Sequence, residues 1–300
     1  LGGPIPMAEA QQLNFNKTAI GNQVQFSYRY RDNGGLLHQV SFYLSRPEIE
    51  RALKEFQTVN EAEMRSYVMH ALYQEAAKFF PGIKIDIAER DRDLDLSVEG
   101  SNPKEVEQAL NHLQRVHDKA RDSYLTSHFY TKDKTGKFIL PDHGRIAARY
   151  VSDMAPVAAS IRQGAPDRSQ RGLFTAALNF VQSIPYDTLQ NRETSNGAGF
   201  TTPIGLLQMN RGDCDTKAVA LTSLLRTLLP GVPVIMVYVP DHVFIGARLP
   251  TMRGDRVLSV DGEVYILAEP AGPSLVPAGQ LAHASANELD RRNFTYIKMP

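Results

Sequence analysis

"MNRGDCDTKAVALTSLLRTLLP", residues 209–230, contains the only cysteine of this 300-residue chain. Its apolar residues recur at steps of three and four, the period of a helix with one buried face. Counting back along that face from Ala218 leads to Cys214, so the thiol begins the buried stripe. Asp213 is a good N-cap residue and Pro230 supplies a stop, which together predict a helix that starts at Cys214.

The position of Cys214 at a helix start has two interpretations. A helix N-terminus lowers the pKa of a thiol, and the thiolate is the reactive form. A lone cysteine is also a small apolar residue that packs well in a core. This stretch leaves both interpretations open, so the decision depends on the rest of the chain.

The composition is that of an ordinary globular protein, with 42% hydrophobic and 22% charged residues. The 33 basic and 33 acidic residues cancel, so no net charge favours nucleic acid or an anionic membrane as a partner. No apolar run approaches the roughly 18 residues that span a bilayer. A single cysteine excludes an internal disulfide and a zinc site built on several thiols, and we expect neither metal nor cofactor.

The first half of the chain has the pattern of an α+β unit. Alternating apolar and polar residues flank Asn33-Gly34-Gly35, and a second alternating stretch, "IKIDIAERDRDLDLSVEG", surrounds a charged turn. Each predicts a hairpin. Helical periodicity occupies residues 46–80 and 103–127.

Three segments follow from this pattern. We expect residues 1–22 to be a leader or disordered. Residues 23–135 are predicted to be an N-terminal α+β domain of two hairpins and helices, and residues 136–300 the domain that carries the chemistry. The polar stretch "TKDKTGKFILPD" marks the boundary between the two domains.

The second half mixes helices and strands around the cysteine. Helices are expected near 143–162 and 169–184, and the polar, glycine-rich segment 186–205 is expected to be a loop that runs directly into the cysteine helix. Loops of this kind often carry function. After the helix, "VPVIMVYV" and "HVFIGARL" predict strands joined by Pro240-Asp241, and Asp261-Gly262 predicts a further hairpin.

A cysteine nucleophile needs a base, and the base needs an orienting group. Among eight histidines, His242 is the best candidate base because it opens a strand directly after a turn. Asp255 and Asp261 are candidate acids, although turn chemistry explains both. Glu269 ends the apolar strand "VYILAE", where a carboxylate is unfavourable unless it is paired. Glu269 is therefore the preferred acid.

The pairing of two strands decides whether His242 and Glu269 meet. If strands 242–249 and 263–270 are direct antiparallel neighbours, His242 lies opposite Pro270 and beside Glu269. If another strand lies between them, the two side chains are about one strand spacing, roughly 5 Å, further apart. We expect direct pairing.

These motifs, taken in order, resemble a known family. Gly-Asp-Cys-Asp-x-Lys-Ala at a helix start, His-Val-Phe opening a strand and acid-Pro-x-Gly ending one are similar to the transglutaminase-like, papain-like cysteine hydrolases. The likeness covers residues from about 140 to 275. It implies a core in which the nucleophile helix packs on an antiparallel sheet. It also implies Cys214 as nucleophile, His242 as base and Glu269 as orienting acid. The family usually has aspartate as the third member, whereas this chain has glutamate.

The same resemblance suggests how an oxyanion would be stabilised. Papain-like enzymes use a glutamine six residues before the cysteine, the position of Gln208, together with the backbone N–H of the cysteine. Gln208 and Asp213 are thus the candidate oxyanion or substrate-binding residues, with a solvated loop amide as the alternative for Gln208. The chain has no tryptophan, so the indole donor of true transglutaminases is absent, which favours water as the second substrate.

The sequence therefore predicts a cysteine peptidase or amidase that cleaves an amide or isopeptide bond through a thioacyl-enzyme. The expected partner is a peptide or a peptidoglycan-like substrate. The chain starts at Leu1, which is compatible with a removed signal peptide and a periplasmic or secreted location. Two alternatives stay open: a protein-glutamine acyl transferase and a non-catalytic binding module with the same fold. The substrate and the oligomeric state do not follow from the sequence.

Overall fold

The structure is a computed structural model that describes residues 12–90, 93–133, 135–191, 195, 199–272 and 275–300. These residues form a mixed α+β fold whose sheets are antiparallel. Contacts divide the chain into two compact units. One unit is the chain up to Phe56 together with His143–Pro300, and the other is Gln57–Asp142. The predicted boundary near residue 135 lies close to the end of the second unit, but residues 23–56 belong to the first.

The unit Gln57–Asp142 has its own core. In chain order, its elements are α2 (Glu61–Phe79), β4 (Lys84–Arg90), β5 (Asp93–Glu99), α3 (Pro103–Ser127), β6 (Tyr130–Lys132) and β7 (Ile139–Pro141). The predicted hairpin and the predicted long helix are confirmed as β4–β5 and α3, although the turn residues 91 and 92 lie outside the described residues. Helices α2 and α3 pack on each other through buried Val68, Leu72 and Leu113.

The other unit begins with a three-stranded sheet. Its elements are β1 (Gln12–Ile20), β2 (Gln23–Arg31), β3 (Leu37–Ser45) and α1 (Arg46–Glu55). The hairpin around Asn33-Gly34-Gly35 is confirmed as β2–β3. The expectation of a leader over residues 1–22 is wrong for 12–20, because β1 pairs along its length with β2. Residues 1–11 lie outside the described part of the chain.

The rest of this unit combines helices with a five-stranded sheet. The helices are α4 (His143–Arg149), α5 (Ala155–Gly164), α6 (Gln170–Ser183), α7 (Pro203–Met209), α8 (Cys214–Leu228) and α9 (His283–Asp290). The strands are β8 (Val234–Val239), β9 (His242–Ala247), β10 (Val257–Val260), β11 (Glu263–Ala268) and β12 (Thr295–Lys298). The sheet has the order β10-β11-β9-β8-β12.

Two helix predictions differ from the structure. The single helix expected near 143–162 is divided into α4 and α5, with Pro156 in the first turn of α5. Proline fits a first helical turn but disrupts a helix interior, which explains the division. The loop expected over 186–205 does not run directly into the cysteine helix, because α7 lies between them. Residues 192–194 and 196–198 of that loop lie outside the described residues.

The pairing of β9 with β11 is direct, as expected, and β10 lies on the far side of β11. The register differs from the prediction by one residue, since Leu267 pairs with Gly246 and Ala268 with Ile245. Continuing this register sets Glu269 opposite Phe244. Cross-strand partners share a face of the sheet, and His242 shares that face with Phe244 because side chains alternate. The shift therefore brings Glu269 to the same face as His242.

Helix α8 is largely enclosed by its neighbours. It packs against β9 and against α4, α5, α6 and α7, and most of its residues are buried. Its predicted start at Cys214 and its N-cap at Asp213 are confirmed. Within the described residues, no helix is both long and apolar enough to cross a bilayer.

Candidate functional site

The start of α8 is fixed by its neighbours. Asp213 caps the helix, its Oδ1 accepting a hydrogen bond of 3.0 Å from the Thr216 N–H. Gly212 has no room for a side chain, since a Cβ there would lie 2.6 Å from a methyl of Leu206 and 2.9 Å from one of Thr216. Gly212 and Asp213 thus suit the start of α8, and they place Cys214 in the first turn of a buried helix.

The thiol of Cys214 is partly buried and donates a hydrogen bond of 3.3 Å to Oδ1 of Asp215. Burial, the charges of Asp215 and Asp213 and this hydrogen bond raise the pKa of the thiol well above its ordinary value, and the Val243 backbone N–H opposes them only in part. A helix N-terminus favours the thiolate, but at Cys214 desolvation and two adjacent carboxylates favour the thiol.

His242 and Glu269 are in direct contact. Nε2 of His242 lies 3.4 Å from Oε1 of Glu269, and the two side chains are 27% and 5% exposed. Oε2 of Glu269 accepts a hydrogen bond of 3.0 Å from the Ala282 N–H. Burial by itself would raise the pKa of Glu269, but hydrogen bonds from His242, Ser285 and Ala282 outweigh it and hold the pKa below its ordinary value. Glu269 is therefore an ionised carboxylate beside the imidazole.

The two alternative acids lie elsewhere. Asp255 forms a two-point ion pair with Arg171, with both N–O distances at 2.7 Å. Asp261 pairs with Lys298 at 2.6 Å. Each carboxylate has a basic partner of its own, so of the three candidates Glu269 is the one in contact with His242.

Two buried polar side chains hold the segment that follows Glu269. Nε2 of Gln182 donates hydrogen bonds of 2.8 Å to the carbonyls of Glu269 and Val276. Nζ of Lys217 donates to the carbonyls of Ile184 and Ala271. Burial lowers the pKa of Lys217 to about 7, because an ammonium is unfavourable in a dry interior. These contacts fix the acid-Pro-x-Gly turn from both α6 and α8.

Gln208 and Asp213 precede Cys214 by six residues and by one residue. In the structure both make contacts that do not involve the thiol. Gln208 belongs to α7, its carbonyl accepts a hydrogen bond of 2.7 Å from Lys17, and its Oε1 is enclosed with no hydrogen-bond partner in the described residues. Asp213 caps α8, and burial, reinforced by the charge of Asp215, raises its pKa to about 7. An oxyanion role for either residue stays a prediction.

A cavity of about 380 Å³ opens beside the imidazole. It lies between the β8–β9 turn and the start of α9, and it is lined by Val239, Pro240, Asp241, His242, Ala282, Ala284, Ser285 and Glu288. His242 is thus accessible from a space of small-molecule size.

The sequence argument missed a third set of residues around the thiol. His143, the first residue of α4, is 5% exposed and lies with Nε2 3.5 Å from Oδ2 of Asp215. Its Nδ1 lies 2.8 Å from the hydroxyl of Tyr238. No helical or strand period marks His143, which is one of eight histidines, whereas Asp215 stands in the quoted motif and its contact with the thiol follows from adjacency.

The only described group of potential metal-ligand atoms that lie close together is made of Asp213, Cys214 and Asp215. These are consecutive residues whose contacts are already explained: Asp213 caps the helix and Asp215 accepts a hydrogen bond from the thiol. The group gives no independent reason to assign a metal.

The sequence matches no protein-family model and no curated protein. The argument for function therefore depends on the geometry of the site. The structure brings His242 to Glu269 and brings Cys214 to the backbone of Val243, the residue after His242. The thiol itself is hydrogen-bonded to Asp215, not to His242.

Proposed function

We propose that the chain is a cysteine hydrolase that cleaves an amide or isopeptide bond, with Cys214 as nucleophile, His242 as base and Glu269 as orienting acid. One observation carries the proposal: an ionised, buried carboxylate contacts a partly exposed imidazole at the strand start that lies against the thiol. A nucleophile, a base and a group that orients the base are the parts that acyl transfer requires.

The raised thiol pKa determines how the first step would run. A neutral thiol must lose its proton during attack, since a preformed thiolate is disfavoured here. Rotation of the Cys214 side chain from Asp215 toward the β9 start would present its proton to His242. Because Nε2 of His242 faces Glu269, Nδ1 is the ring nitrogen available to the thiol.

The reaction then follows from these positions. Sγ attacks the carbonyl carbon while its proton passes to His242, and the imidazolium is stabilised by Glu269. The C–N bond breaks as His242 returns that proton to the leaving nitrogen, which leaves a thioester on Cys214. Water, deprotonated by His242, attacks the thioester and releases the carboxylate product with the free thiol.

Two further features support the proposal. Negative charge that develops on the carbonyl oxygen can meet backbone N–H groups at the start of α8, which have no acceptor within the helix. The cavity beside His242 offers room for the leaving part of a substrate. The proposed core, a nucleophile helix on an antiparallel sheet, is that of the transglutaminase-like, papain-like hydrolases, and peptides of the cell envelope are included as candidate substrates.

Cys214→Ala and His242→Ala test the assignment. Each should abolish nearly all turnover while leaving the circular dichroism spectrum unchanged, because each acts at the site and not in the core. Wild type and variants are compared on a panel of peptides and peptidoglycan fragments, with p-nitrophenyl acetate as an activated ester that needs no specific leaving group. Wild type should release nitrophenol and carry one acetyl group on Cys214 by mass spectrometry.

The outcomes are separable. If either variant keeps more than about a tenth of wild-type kcat, that residue does not have the proposed role. If wild type acetylates no faster than Cys214→Ala, the chain is a binding module and not an enzyme. If added lysine is incorporated into the product saturably, the thioester is resolved by an amine and the chain is an acyl transferase.

A further inference from the structure

The thiol of Cys214 is the first member of a series of contacts that does not include His242. Sγ donates to Oδ1 of Asp215 at 3.3 Å, and Oδ2 of the same carboxylate lies 3.5 Å from Nε2 of His143. Nδ1 of His143 lies 2.8 Å from the hydroxyl of Tyr238. Three elements, α8, α4 and β8, therefore contribute to one polar network in the interior of the unit.

His143 is held firmly in this network. Its ring stacks on Tyr238 with centroids 5.9 Å apart and an angle of 19°, and it contacts Phe200 with centroids 5.3 Å apart. The hydroxyl of Tyr238 also lies 3.3 Å from the sulfur of Met236, on the same strand. A buried histidine between two aromatic rings has a defined orientation, so its Nε2 gives the Asp215 carboxylate a fixed partner.

The position of Asp215 in a first helical turn has an ordinary explanation, since acidic residues there favour the helix dipole. That explanation does not require both carboxylate oxygens to face inward. Here one oxygen accepts a hydrogen bond from the thiol and the other faces His143, although the side chain is 28% exposed and close to water. Because both oxygens face inward, the carboxylate can hold the thiol in one orientation.

We propose that Asp215 and His143 are positioning residues that hold the Cys214 thiol in a protonated resting state, hydrogen-bonded to Asp215 and not to His242. His143 fixes the carboxylate, and the carboxylate accepts a hydrogen bond from the thiol and opposes formation of the thiolate. The thiol becomes reactive only when it leaves Asp215 for His242. The last step rests on the proposed function, whereas the resting state does not depend on it.

Charged and titratable groups from several elements surround this network. They are Asp215 and Asp213 on α8 and at its cap, His143 on α4, His242 on β9 and Tyr186 before α7. Glu269, which follows β11, faces His242. Burial and then the charge of Cys214 raise the pKa of Tyr186, which places this phenol near the thiol as well. Lys217 also lies on α8, and its Nζ donates hydrogen bonds to the carbonyls of Ile184 and Ala271.

The test is the pH dependence of Cys214 alkylation by iodoacetamide in the full-length protein, between neutral and alkaline pH. Below the thiol pKa the rate follows the thiolate fraction, so each unit by which that pKa falls raises the rate about tenfold at fixed pH. Asp215→Asn removes the adjacent negative charge and should raise the rate at least about tenfold. His143→Gln leaves Asp215 in place but removes the imidazole that holds its carboxylate. It should raise the alkylation rate by a smaller factor.

Asp290→Asn is the matched control, because Asp290 is an exposed carboxylate of the same unit that pairs with Arg256 at 2.8 Å. It makes the same change of charge without touching the network or the cavity, and its alkylation rate should stay within about twofold of wild type. An Asp215→Asn profile that coincides with that of Asp290→Asn would overturn the proposal. If Asp215→Asn does not fold, an unchanged profile in His143→Gln overturns it.

The readout does not require a substrate, so it separates this inference from the proposed function. Faster alkylation of Asp215→Asn with no turnover by wild type on any acyl donor would support the resting-state network and reject the hydrolase. Turnover that depends on Cys214 and His242, with alkylation unaffected by Asp215→Asn, would support the hydrolase and reject the resting-state network.

Discussion

At the scale of single residues, partners decide which carboxylate can serve the imidazole. Asp255 is neutralised by Arg171 and Asp261 by Lys298, whereas Glu269 is buried against His242. A buried carboxylate without compensation is unfavourable, and Glu269 obtains that compensation from His242, Ser285 and the Ala282 N–H. Its lowered pKa means that it stays ionised at the pH at which an imidazole acts as a base.

We expect Glu269→Gln to lower kcat by about tenfold or more, though by less than Cys214→Ala, because the residue orients and stabilises the base without reacting. The ionised carboxylate contributes stability above its ordinary pKa, and this contribution is lost as the pH falls through its lowered value in the fold. As the pH is lowered, the free energy of unfolding of Glu269→Gln should therefore fall less than that of wild type. Steady-state kinetics and acid titration followed by circular dichroism measure the two effects.

Asp261→Asn is the control for this experiment, since it removes an exposed carboxylate from the same sheet. It should retain wild-type kcat, because surface ion pairs contribute little. Full activity in Glu269→Gln together with a collapse of kcat in Asp261→Asn or Asp255→Asn would transfer the orienting role to that aspartate.

At the scale of elements, long periodic segments could be predicted and short ones could not. The cysteine helix has a buried stripe, an N-cap and a stop signal, and the structure confirms it as α8. Helix α7 has seven residues, too few to show a period, so the sequence predicts no helix there. The orientation of His143 depends on side chains from α8 and β8 that are distant in sequence, so no local pattern could reveal it.

The strand register shows the same limit. Direct pairing of β9 with β11 could be predicted from their apolar runs, although residues 248–262, which include β10, separate the two strands in sequence. The register was missed by one residue, because no tight turn joins these strands to fix it and Phe244, Tyr265 and Leu267 pack in one cluster. That single residue decides which face carries Glu269.

The cavity between the β8–β9 turn and α9 yields a prediction at this scale. Ala284 lines it as an exposed residue near the start of α9, so Ala284→Trp should fill much of the space with little effect on the core. If the leaving part of the substrate occupies this cavity, kcat/KM for a peptide should fall by about tenfold or more. Acetylation of Cys214 by p-nitrophenyl acetate, which needs no such space, should be unchanged.

Ala284→Ser is the matched control, because it changes the same position without filling the cavity. Equal peptide turnover in wild type and Ala284→Trp would place the substrate elsewhere. Equal losses of peptide turnover and of acetylation in Ala284→Trp would indicate that the substitution disturbs His242 itself.

At the scale of the whole molecule, the chain consists of two units with separate apolar cores. The candidate residues Cys214, His242 and Glu269 all lie in one unit, whose five-stranded sheet and α8 surround them. The other unit, Gln57–Asp142, has a core that includes Leu72, which is fully buried. Two cores imply that damage to one need not reach the chemistry of the other.

We expect Leu72→Ala and Leu221→Ala to have different consequences although both leucines are fully buried. Each should lower the free energy of unfolding of its own unit by about 2–5 kcal/mol, because each leaves a cavity in a packed core. Leu72→Ala should weaken hydrogen-exchange protection in α2 and α3 while leaving α8 protected and Cys214 acetylation at the wild-type rate. Leu221→Ala should weaken protection in α8 and slow acetylation, since that helix carries the thiol. Loss of protection in α8 on Leu72→Ala would show instead that the two units unfold as one, and that the Gln57–Asp142 unit supports the site thermodynamically.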